Sequence, residues 1–101
     1  GLTYNSQLPG LVGLPLARDT VRGMELSGWF MLFGTQGTSA ARLQEVNAAV
    51  NTALKSPELV QKLQATANYP VGGSIAEARK LLEAEKKKWA LAVQQAGLKA
   101  E

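Results

Sequence analysis

The apolar run at residues 29–33, Trp-Phe-Met-Leu-Phe, constrains the fold of this chain most. Before it, residues 24–28 alternate between apolar and polar or small side chains, and Gly34 ends the run. Alternation followed by a continuous apolar run predicts a strand that is half exposed at first and then covered on both faces. A short buried helix is the alternative interpretation of the same run.

No partner strand for this segment is obvious elsewhere in the sequence. Residues 1–23 are punctuated by glycine and proline, which predicts irregular structure with a possible short helix over residues 15–21. Residues 69–71 could form a short extended segment or an edge strand. A strand without a sequential partner suggests a piece of something larger.

Helical signals begin directly after the glycine-rich turn at residues 34–37. Thr38 is a suitable N-cap, because its hydroxyl can accept a backbone N–H of the first turn. Leu43, Val46, Val50 and Leu54 follow at spacings of three and four, which predicts one apolar stripe on a helix that ends near Lys55.

The sequence contains two further signals for the start of a helix. Ser56-Pro57-Glu58 combines a cap, a proline at the first helical position and an acidic residue in the first turn. Ser74 and Glu77 have the spacing of a capping box, which predicts a long helix over residues 75–96 that Gly97 ends.

Composition removes several classes of chemistry. The 101 residues include no cysteine and no histidine, which excludes disulfides, thiolate metal sites and histidine as a general base. No nucleophile and base stand in a recognisable spacing, so we expect no enzymatic activity, no metal site and no cofactor. No apolar run approaches the length of a membrane span, and no signal peptide is visible.

The net charge of +3 is too small to indicate nucleic-acid binding by itself. The basic side chains that could serve such binding lie on the last predicted helix: Arg79, Lys80, Lys86, Lys87 and Lys88. Acidic residues in the preceding turn and the absence of interleaved aromatic side chains favour an ordinary solvated helix face. We therefore expect no nucleic-acid partner, and the basic binder is the third and least favoured hypothesis.

The order of these features resembles the C-terminal part of the Bug solute-binding proteins, the extracytoplasmic receptors of tripartite tricarboxylate transporters. The resemblance rests on the segment "SGWFMLFGTQGTS", the Ser-Pro-Glu start, the turn "YPVGGS" and a long helix before Ala-Gly-Leu-Lys. It covers nearly all of this chain, but it corresponds to only about the final third of such a receptor. The matching positions are Trp29, Gly37, Thr38, Asn47, Pro57, Glu58, Pro70, Val71, Gly72, Gly73 and Trp89. The chain departs from the family pattern at Thr35 and Ser39, where prolines are usual.

The resemblance implies a helix-rich α/β fragment with one long crossover strand followed by three helices, as in a type II periplasmic binding protein. Residues 1–23 would then end the second lobe, residues 24–34 would be the crossover strand, and residues 35–101 would form the helical C-terminal part of the first lobe. Trp29 and Phe30 are the implied ligand-binding residues, and Phe33 and Gly34 the implied hinge.

The resemblance also implies a function and a cellular location. The parent would be periplasmic, would capture a small organic acid through its carboxylate and would deliver it to membrane permease subunits. The isolated chain is expected not to bind the ligand. The rival hypothesis is a small self-associating module, in which residues 24–33 pair with a symmetry mate in a homodimer or a strand-swapped assembly.

Overall fold

The computed structural model describes residues 1–99. The chain divides into two compact units, Gly1–Leu32 and Phe33–Glu101. The boundary between these units falls inside residues 24–34, the segment that the sequence predicts to be one continuous strand.

The first unit is irregular and is tied together by a few backbone hydrogen bonds. Leu2 and Leu16 form an isolated parallel bridge. The Leu2 N–H donates to the Pro15 carbonyl at 2.8 Å, and the Ala17 N–H donates to the Leu2 carbonyl. The short helix expected over residues 15–21 is a single 3-10 turn, Ala17–Asp19.

The predicted crossover strand is wrong: within residues 1–99 there is no strand at all. A strand needs a neighbouring backbone to pair with its N–H and C=O groups. Among residues 24–34, the Leu26 N–H does donate to the Thr3 carbonyl at 2.8 Å, but no ladder continues from that bond. The aromatic and aliphatic residues of this segment therefore led to a wrong prediction of its secondary structure. The possible edge strand at residues 69–71 is also irregular.

The three predicted helices are confirmed, with adjusted ends. Helix α1 is Ala40–Ala53, two residues shorter at its end than expected. Its N-cap is Ser39, whose hydroxyl accepts from the Arg42 N–H at 3.3 Å. The predicted cap, Thr38, instead donates its hydroxyl to the Thr35 carbonyl at 2.8 Å.

Helices α2 and α3 begin where the sequence signals place them. Helix α2 is Pro57–Ala65, with proline in its first turn, although the Ser56 hydroxyl makes no capping bond. Helix α3 is Ile75–Ala96, opened by the Ser74–Glu77 capping box. It ends at Gly97, which has a left-handed φ of 66°. Helices α1 and α3 contact each other.

No hydrophobic residue within the described part of the chain is buried. The apolar stripe of α1 is at best half-buried, since Leu43, Val50 and Leu54 are partly covered and Val46 is exposed. The buried residue is a charged one, Glu85, which is 7% exposed. A folded domain ordinarily places Ile, Val, Leu and Phe inside, so the apolar faces of these helices lack their cover.

Candidate functional site

Trp29 and Phe30, the expected ligand-binding residues, lie next to each other near the end of the first unit. Trp29 is half-buried, whereas the Phe30 side chain is 92% exposed. No helix or strand fixes either residue. The structure therefore presents a half-covered indole and an open phenyl ring, and it does not enclose them in a cleft.

Phe33 and Gly34, the expected hinge, begin the second unit. Phe33 is 61% exposed. Gly34 is tightly surrounded: a Cβ built on it would lie 2.8 Å from the Leu43 Cδ2 and 3.2 Å from the Thr38 Oγ1. Gly34 is thus a point of close approach between the turn and α1. This packing explains a glycine at this position without requiring hinge motion.

The best-defined polar cluster of the second unit joins α1 to the turn before α3. Asn51 Nδ2 donates to the Gly73 carbonyl at 2.8 Å, and Asn51 Oδ1 accepts from the Gly73 N–H at 2.8 Å. Asn47 Nδ2 donates to the same carbonyl at 3.0 Å. We call this set of three residues the asparagine clamp.

Local backbone geometry makes the clamp possible. Asn47 and Asn51 are four residues apart, so one face of α1 presents both amides. Gly72 and Gly73 have positive φ angles of 68° and 113°, which glycine adopts readily. A Cβ on Gly72 would lie 2.6 Å from Asn51 Oδ1, so only glycine lets the amide approach this closely.

Sequence reasoning missed the clamp as a unit. It singled out Asn47, Gly72 and Gly73 separately and did not consider Asn51. The spacing of the two asparagines on one helix face was a visible signal. Their partner stands 22 to 26 residues later in the chain, and no local pattern predicts that contact.

The backbone amides before α3 are already engaged by side chains of the chain itself. The Ser74 N–H donates to Glu77 Oε2 at 2.7 Å, and the Glu77 N–H donates to the Ser74 hydroxyl at 3.2 Å. The Gly73 N–H belongs to the clamp. These bonds give the glycine turn a structural role, because the amides of Gly73, Ser74 and Glu77 already donate to side chains of the chain itself.

The same bonds change the acidity of Glu77. The hydrogen bond from the Ser74 backbone, then the one from its hydroxyl, and finally the charge of Lys80 hold the pKa of the Glu77 carboxyl below 4.5. The carboxylate also lies in the first turn of α3, where negative charge is favoured.

The middle of α3 contains the buried carboxylate. Glu85 Oε2 accepts from the Trp89 indole N–H at 3.0 Å, and Glu85 also pairs with the Lys88 ammonium. Beside this pair on the same helix, Lys86 pairs with Glu83 at 3.0 Å. Two of the three consecutive lysines thus face carboxylates of their own helix, which weakens the case for a free basic patch.

The start of α2 carries a shallow hollow that is open to solvent. It is lined by Ser56, Glu58, Leu59 and Lys62. Lys62 Nζ pairs with Glu58 Oε1 at 2.7 Å across this hollow, so its charge is already compensated. The hollow offers no enclosed space and no uncompensated charge for a small ligand.

The total solvent-accessible surface shows how much of the chain is left uncovered. A compact monomer of 10.7 kDa exposes about 5,500 Å² of solvent-accessible surface. Two separate compact units with the lengths of the first and second unit would together expose about 6,500 Å². This chain exposes 8370 Å². Even by the second comparison, the surplus is about 1,800 Å², roughly twice the 800 Å² or so that one partner of a typical protein–protein interface buries.

Two kinds of site are not found in residues 1–99. No three or more acidic side chains come together there in a way that could hold a metal ion. None of the helices in this part is both long enough and apolar enough to cross a membrane. Comparison with protein-family models, with curated proteins and with solved structures gives no match.

Proposed function

We propose that this chain is part of a Bug-like periplasmic solute-binding receptor that captures a small organic acid for a tripartite tricarboxylate transporter. The chain has no catalytic role in this proposal. It supplies the helical C-terminal part of one lobe, and the rest of the receptor completes the ligand cleft and meets the membrane permease subunits.

The observation that carries the proposal is the uncovered apolar surface. No hydrophobic residue in the described part is buried, and the surplus surface is about 1,800 Å². Burial of apolar surface is the main favourable term in folding, so a natural protein rarely leaves such faces open. A receptor in which further chain covers α1, α2 and α3 accounts for both facts.

The polar groups of this chain support a ligand-incompetent fragment. The amides before α3 are bonded to Asn51, Ser74 and Glu77, as described above. A carboxylate is bound best by free N–H donors or by cationic side chains. The free N–H donors and cationic side chains that hold the carboxylate would therefore lie in the remainder of the receptor.

Within the complete receptor, Trp29 and Phe30 would supply an apolar wall. Aromatic rings can pack against the carbon skeleton of an organic acid while its carboxylates bind polar groups elsewhere. The indole of Trp29 is half-buried whereas the Phe30 ring is exposed, so we assign the main apolar contact to Trp29.

The test is a reconstitution from two parts. The N-terminal two-thirds of a tricarboxylate-binding Bug receptor is co-expressed with this chain, and each part and the pair are titrated with citrate and succinate by isothermal calorimetry. We expect the two parts to co-purify and the pair to bind an acid, whereas neither part binds alone. Micromolar binding by this chain alone, or failure of the parts to associate, overturns the proposal.

A matched pair of variants tests the assigned wall. In the reconstituted pair, Trp29→Ala should weaken acid binding about tenfold, the loss typical of one apolar contact in a binding site. Trp89→Ala removes the other tryptophan, on α3, and should leave acid affinity unchanged as long as the parts still associate. Equal effects of the two variants contradict the role of Trp29.

A further inference from the structure

Phe30, Met31 and Leu32 form the most open apolar stretch of the first unit, which we call the apolar edge. Phe30 is 92% exposed and Leu32 is 71% exposed, and Met31 between them is half-buried. Side chains two residues apart share one face of an extended chain, so Phe30 and Leu32 can present a joint apolar surface. Both side chains are thus largely open to solvent.

The backbone of the apolar edge is also unpaired. None of its three residues lies in a helix, a strand or a turn, and none has a positive φ. Within residues 1–99, their N–H and C=O groups make no backbone–backbone hydrogen bond. Unpaired backbone beside exposed apolar side chains is the combination to which another extended chain adds most readily.

Charge and proline content indicate what can occupy this edge. No charged side chain occurs between Glu25 and Arg42, and no proline occurs between Pro15 and Pro57. Two copies of the edge can therefore lie side by side without opposed like charges and without a missing N–H donor.

We propose that a second copy of this chain pairs with the apolar edge. A two-fold axis through the pair makes the two edges antiparallel, so that each edge offers its partner the same surface. Such a pair would remove the exposed side chains of Phe30 and Leu32 from water on both copies. This pairing concerns the 101-residue chain itself and does not depend on the receptor proposal.

The first test is the oligomeric state of the chain and its variants by sedimentation velocity, over about a hundredfold range of concentration. The wild-type chain should be a dimer at the upper end. Phe30→Lys and Leu32→Lys each place two ammonium groups close to the axis, and each should raise the dimer dissociation constant about tenfold or more. Because both positions are exposed, the helical circular dichroism should be unchanged.

The matched controls are lysine substitutions at equally open apolar positions outside the edge. Val12→Lys lies in the first unit, where Val12 is 83% exposed, and Val71→Lys lies in the second, where Val71 is 88% exposed. Both variants should dimerise like the wild type. A dimer that survives Leu32→Lys, or that either control disrupts equally, overturns the proposal. So does a wild-type chain that stays monomeric at the highest concentration.

Hydrogen exchange and spin labelling then test the contact itself. In the dimer, the amides of Phe30 and Leu32 should exchange more slowly than in the Leu32→Lys monomer. The natural absence of cysteine allows single spin labels at residues 30 to 32 without background. Labels at the edge should be close together in the dimer, and a label at Val12 should be farther from its mate. Unprotected edge amides in a dimer contradict the assigned surface.

Discussion

Asn51 binds the backbone of Gly73 through both polar atoms of its side-chain amide. Nδ2 donates to the Gly73 carbonyl and Oδ1 accepts from the Gly73 N–H, each at 2.8 Å. One side chain of α1 thereby fixes the position at which α3 begins. Among residues 33–99 no hydrophobic side chain is buried, so this pair of bonds, which spans 22 residues, is an important connection between the two helices.

Asn51→Ala should destabilise the second unit by about 2 kcal/mol, because two hydrogen bonds are lost and each contributes about 1 kcal/mol net. Asn47→Ala removes one bond to Gly73 and should cost about half as much. Thr52→Ala, on the exposed side of α1, is the control. Urea denaturation followed by circular dichroism at 222 nm measures all three. Equal effects of Asn51→Ala and Thr52→Ala would contradict the clamp.

Gly72→Ala should destabilise the chain more than Gly97→Ala does. Both glycines have nearly the same positive φ, 68° and 66°, so both alanines carry the same backbone strain of about 1 kcal/mol. A Cβ at Gly97 meets open space, whereas one at Gly72 collides with Asn51 Oδ1. The additional loss should disappear when Gly72→Ala is made in the Asn51→Ala background, as a double-mutant cycle in urea can show.

The capping box predicts a defined dependence of stability on pH. Since folding lowers the pKa of Glu77, its contribution is present above the unfolded pKa and is lost as the pH falls below 4.5 through the lowered folded pKa. The stability difference between wild type and Glu77→Gln should therefore shrink on acidification in this range. Carboxyl chemical shifts of Glu77 measure its pKa directly, and Ser74→Ala should return that pKa toward 4.5. A Glu77 pKa that Ser74→Ala leaves unchanged contradicts the assigned cause.

Gly34→Ala should lower the stability of the second unit, because the new methyl group displaces Leu43 and crowds Thr38. Gly28→Ala is the matched control, since a Cβ there meets nothing within 4 Å and the φ is not positive. Thermal unfolding of both variants compares the two positions. If Gly34 acted only as a flexible hinge, the two substitutions would have equal effects on stability.

Glu85→Ala should destabilise α3 by about 2 kcal/mol, because the charged carboxylate accepts from the Trp89 indole in a nearly buried position. Glu83→Ala removes an exposed ion pair with Lys86 and should cost less than about 0.5 kcal/mol. Urea denaturation of both variants in a Trp29→Phe background, followed by Trp89 fluorescence, measures both costs. Equal costs would show that burial of Glu85 adds nothing.

The candidate site was predictable only residue by residue. Trp29 and Phe30 stand out as aromatic side chains beside glycine, but neither their half-buried and exposed states nor the division of the chain after Leu32 can be read from the sequence. Gly34 stands out as a glycine after an apolar run. Its close approach to Leu43 and Thr38 is a contact across a turn, which spacing alone did not reveal.

The sequence by itself determined the three helices, because their signals are local. Pro57 in a first turn, the Ser74–Glu77 capping box and the left-handed Gly97 each act within one turn of backbone, and all three are found where the sequence places them. Only the tertiary structure decided the conformation of residues 24–34 and the hydrogen-bonding role of Asn51. A strand exists only when a second backbone pairs with it, and the clamp exists only when Gly73, 22 residues away, reaches α1. Both depend on distant parts of the chain, and no local pattern of residue types specifies them.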